Sequence, residues 1–70
     1  MTKANKEKIV KSLVEKAETE VIQQQIMIDF YEEVIKTAEG ELANSYKTKQ
    51  AQMKSTLTFN QKFIDYVKSL

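Results

Sequence analysis

Residues 31–46 read Tyr-Glu-Glu-Val-Ile-Lys-Thr-Ala-Glu-Gly-Glu-Leu-Ala-Asn-Ser-Tyr, and at their centre stands Gly40, the only glycine of a chain that has no proline. Whether a helix stops at this glycine decides the fold. Upstream, Val10, Val14, Ala17, Val21, Gln24, Ile28, Tyr31, Ile35 and Ala38 are spaced alternately by four and three, with Leu42 continuing the rhythm. That alternation is the seam of a long helix packed on another helix. Ile9, Leu13, Met27 and Val34 widen the stripe beyond a strict two-position seam, which suits a helical bundle. Downstream, Leu42, Tyr46, Met53, Leu57, Ile64 and Val67 form a second stripe.

Glycine adopts the left-handed conformation that commonly ends a helix. The reading is therefore an all-α antiparallel hairpin of two long helices, one over about 4–39 and one over about 42–69, with the turn near Gly40. Asn44-Ser45 offers a second break, and Thr2 or Asn5 an N-cap. The rival is one continuous helix through Gly40, since a single helical glycine costs only about 1 kcal/mol. Folding at Gly40 sets Ile35 near Tyr46, Ile28 near Met53, Val21 near Phe59 and Val14 near Tyr66. It also brings acidic Asp29, Glu32, Glu33 and Glu39 alongside basic Lys47, Lys49 and Lys54.

Seventy residues allow one domain, marginal alone. There is no cysteine or histidine, which removes disulfides, thiol chemistry and the commonest metal ligand and acid–base group. No cofactor is expected. The net charge of +1 hides an uneven layout: residues 1–14 are basic, 15–41 acidic, and 42–64 hold four lysines and no acid. No stretch is apolar enough to span a membrane, and the N-terminal segment does not resemble a secretory leader, so the cytoplasm is the expected compartment.

Three constellations bear on function. Ile22, Ile26 and Phe30 recur every fourth residue nearly opposite the main seam, and Phe59, Phe63, Tyr66 and Leu70 make a comparable extra set. One hairpin has a single internal seam, so Ile22, Ile26, Phe30, Phe59, Phe63 and Tyr66 are assigned to an oligomer interface, most simply in a dimer of hairpins. Gln24 interrupts the seam opposite the region of Thr56, and Asn60 is also a seam position. Buried amides either set the register or line a polar pocket. Finally, segment 44–62 is rich in hydroxyls, amides and ammonium groups. It reads as a solvated face or, through Tyr46, Lys47, Lys49, Lys54 and Thr56, as an anion site.

Nucleic acid is disfavoured because arginine is absent and the net charge is near zero. Catalysis is disfavoured because no base stands ready for the hydroxyls. The expectation is a non-enzymatic, homo-oligomeric binding protein that blocks a partner protein, of the kind common among phage and mobile-element inhibitors. The alternatives are a sponge for a nucleotide-like anion held between subunits and a purely structural coiled-coil module.

Overall fold

A computed structural model of the protein describes residues 2–70. Two helices make up nearly all of it: α1 over Lys3–Thr37 and α2 over Gly40–Lys68. They pack antiparallel into a rod whose Cα extents are 56 × 14 × 14 Å. No strand occurs among the described residues, and no helix there is long and apolar enough to cross a membrane.

The start of α1 is capped by Thr2, whose hydroxyl accepts a hydrogen bond from the Asn5 amide at 3.3 Å. Its end comes two residues earlier than the glycine rule predicts. The Thr37 hydroxyl donates back to the Val34 carbonyl at 3.3 Å, and the Ala38 amide bonds to that same carbonyl at 3.0 Å. Ala38 and Glu39 are then extended, with ψ of 151° and 153°. Gly40 opens α2 instead of closing α1, at a left-handed φ of +61°, a conformation that only glycine adopts readily. The helix runs unbroken through Asn44 and Ser45.

The seam of α1 matches the four–three rhythm from Val10 to Ala38: each of those positions is buried or half-buried. Leu42 does not continue it. The turn resets the phase, so Leu42 is 54% exposed and the seam of α2 begins one residue later. It runs through Ala43, Tyr46, Gln50, Met53, Leu57, Asn60, Ile64 and Val67. Ile28 of α1 with Ile64 and Val67 of α2 are the best-buried large side chains between the helices, each contributing about 1.5–3 kcal/mol by leaving water.

Two expected neighbours are corrected. Phe59 and Tyr66 do not close the seam against Val21 and Val14, because both are mostly exposed. Asn60, Ile64 and Val67 occupy that part of the seam. Tyr46 sets its ring 6.0 Å from that of Tyr31.

Candidate functional site

The seam carries two polar links. Gln50, only 7% exposed, donates from Nε2 to the Ile28 carbonyl at 3.1 Å and to Glu32 Oε2 at 2.8 Å. Asn60 donates from Nδ2 to Gln24 Oε1 at 3.2 Å. Gln24 therefore bonds to Asn60, while Thr56 bonds to its own helix through the Gln52 carbonyl. Both links tie α1 to α2 at fixed positions, and slippage of the helices would leave buried amides unpaired. The sequence pattern groups Gln50 with the solvated face of segment 44–62, and the structure places it in the core.

The expected ion pairs between the acids of α1 and Lys47, Lys49 and Lys54 do not form. Among the described residues, the interhelical ion pair is Lys68 with Glu18 at 3.6 Å, nearer the other end of the rod. The acids near the turn have closer partners: Glu33 takes Lys36 at 3.1 Å, Asp29 takes Gln25 at 3.0 Å, and Glu32 takes Gln50. Glu33 and Asp29 reach partners three or four residues away on their own helix without crossing the groove, whereas Glu32 is taken by Gln50 from across it.

The two long edges of the hairpin differ in kind. Residues that follow a seam position form one edge, and α1 presents there Lys11, Glu15, Glu18, Gln25, Asp29, Glu32 and Lys36, with Ile22 as the apolar exception. On α2 the same edge carries Asn44, Lys47, Lys54, Thr58, Gln61, Asp65 and Lys68, with Ala51 as its apolar member. Residues that precede a seam position form the opposite edge. Of the ten large apolar side chains exposed among the described residues, Ile9, Leu13, Met27, Phe30, Leu42, Phe59 and Tyr66 lie here.

Surface depressions lie along this second edge. One, of about 330 Å³, is walled by Leu13, Lys16, Glu20, Phe59 and Phe63, with Ala17 and Asn60 at its floor. Another, of about 470 Å³, is bordered by Gln24, Tyr31, Lys49, Gln52, Met53 and Thr56.

The residues assigned to an oligomer interface thus divide. Phe59 and Phe63 share a groove with Leu13, and Tyr66 lies on the same edge. Phe30 belongs to that edge near the turn. Ile22 and Ile26, each 62% exposed, sit on the outer side of α1 and do not line the groove. Ile9, Leu13, Met27 and Leu42 complete the apolar edge. The sequence pattern counts them with the seam, and the structure leaves them exposed beside it.

The residues assigned to an anion site divide as well. Lys49 and Thr56 border one depression. Lys47 and Lys54 follow seam positions and so lie on the charged edge. Tyr46 is half-buried against Tyr31, itself part of the depression wall. No protein-family model, curated protein or solved structure matches the chain.

Proposed function

We propose that this chain is a non-enzymatic binding protein of the cytoplasm that associates with itself and uses its apolar helix faces to hold and block a partner protein. One observation carries the reading: large apolar side chains stand exposed on a hairpin whose two helices, the elements among the described residues, do not cover them. Phe59 is 67% exposed, and Ile22 and Ile26 follow closely. Each such side chain stabilises an interface by roughly 1.5–3 kcal/mol when it leaves water, and patches of this extent mark interaction surfaces. The absence of histidine and cysteine supports a role in binding over one in catalysis.

The test is capture of a partner from a lysate of the native source, followed by variant chains. Ile22→Asp/Ile26→Asp and Phe59→Asp alter exposed positions and leave the seam intact. At least one should lose the captured protein and its inhibition, while Lys47→Glu on the charged edge should keep both. Retention of the same partner by every apolar-surface variant would refute the reading.

A second reading, sequestration of a nucleotide-like anion between subunits, is favoured by Lys49 and Thr56 bordering one depression with Gln24. A ligand at 100 times its Kd stabilises the folded form by about 2.7 kcal/mol. A thermal-shift panel of nucleotides and sugar phosphates should then show a clear rise in Tm for at least one compound. A flat panel removes this reading and leaves the first untouched.

A further inference from the structure

The apolar edge has an order that identifies what covers it. Because Tyr31 and Lys49 share a depression with Gln24 and Thr56, and Leu13 and Glu20 share one with Phe63, the register of the two helices along the edge is set. From the open end of the hairpin to the turn, the residues nearest the midline run apolar, apolar, acidic, neutral, apolar, basic, apolar, apolar. Reversed, the series complements itself at its ends and at its charges: Leu13 falls on Leu42, Phe63 on Val34 and Glu20 on Lys49, while at the centre Thr56 falls on Met27.

We infer that a second copy of this chain covers the edge, related by a two-fold axis that lies in the interface, perpendicular to the helices. The inference rests on the self-association proposed above and adds its surface and polarity. With that axis, each apolar residue near the two ends meets an apolar residue of the second copy, and Glu20 of each chain meets Lys49 of the other. With the axis parallel to the helices, Glu20 meets Glu20 and Lys49 meets Lys49, and like charges face each other across a partly dry interface, which is strongly unfavourable. A foreign partner gives no reason for the edge to match its own reversal.

The dimensions agree. A face of 56 × 14 Å is close to the ~800 Å² per partner of a standard stable interface. The product is a four-helix bundle, the closed solution for two amphipathic hairpins. Ile22 and Ile26 remain on the outside of that bundle.

Charge exchange tests the assignment. In sedimentation equilibrium, Glu20→Lys alone and Lys49→Glu alone should each weaken the dimer about tenfold or more, since each creates two like-charge contacts. The double variant should recover most of the affinity. An equimolar mixture of the two single variants should form heterodimers in preference to either homodimer. Circular dichroism checks that helix content is kept.

On the unaltered protein, carbodiimide, which joins only touching carboxylate–amine pairs, should link Glu20 to Lys49 between chains. Lys49 lies level with Tyr31, eleven residues from Glu20 and roughly 16 Å away along the axis, so the link cannot form within one hairpin. A dimer that ignores single reversals and yields no such link overturns the inference while self-association stands. A protein that stays monomeric at high micromolar concentration overturns both.

Discussion

Along one edge of the hairpin, Glu18 meets Lys68 and Gln50 reaches Glu32. Along the other, Leu13 shares an open groove with Phe59 and Phe63. The first edge pairs several of its polar groups within one chain and presents the rest to water. The second leaves its apolar surface unsatisfied. The same seam lies between them, so the contrast comes from a single choice repeated along both helices: charged or polar residues after most seam positions, and oil before many of them. An isolated hairpin needs only the first pattern. The second makes sense for a chain that is completed from outside.

The sharpest way to break this contrast is to put charge on the apolar edge. Phe63 is half-buried beside Leu13. Phe63→Asp should lower unfolding free energy in urea by about 2–4 kcal/mol and abolish self-association, because apolar contact is lost and a carboxylate enters its place. Gln61→Asp, two residues away on the charged edge, should change neither. Equal effects at the two sites would erase the distinction.

Gln50 is where the charged edge reaches into the seam. Gln50→Ala removes packing, one hydrogen bond to a carboxylate and one to a backbone carbonyl, and should cost about 2 kcal/mol. Gln50→Leu restores the packing and should recover most of that stability while relaxing the helix register. If both substitutions cost the same, hydrogen bonding dominates at this position. The smallest effect belongs to the exposed pair on the charged edge. Lys68→Ala should change stability by no more than about 0.5 kcal/mol, and less in high salt. A larger loss would mean that this edge contributes more than its own solvation.

The architecture was legible because the α1 seam kept phase for nine consecutive positions, which few alternatives could imitate. The phase of α2 was harder. Counting onward from Ala38 put Leu42 in the seam, whereas the extended residues Ala38 and Glu39 shift the count by one. Gln50 was hidden because polarity masks a core position unless its partner is known, and Ile28 and Glu32 lie 22 and 18 residues away.

The candidate surfaces were only partly legible for the same geometric reason. Residues four apart drift by about 40° around a helix. Ile22, Ile26 and Phe30 therefore look like one stripe but pass from one side of α1 to the other. Lys47 and Lys49, two apart, point to opposite edges. Proximity in sequence suggested one basic cluster, but the helix divides it.

Ala38 and Glu39 are the entire non-helical link between the helices, and so short a hinge has no slack. Were they and Gly40 to turn helical, the chain would straighten into a single rod spanning Lys3–Lys68, roughly 100 Å long. Two such rods laid head to tail would pair α1 of each with α2 of the other, as in an exchanged dimer, but with the two seams one residue out of phase, about 100° apart around the rod. The left-handed backbone of Gly40 weights that choice toward the closed form. One residue without a side chain thus governs whether the chain's core belongs to one molecule or is shared by two.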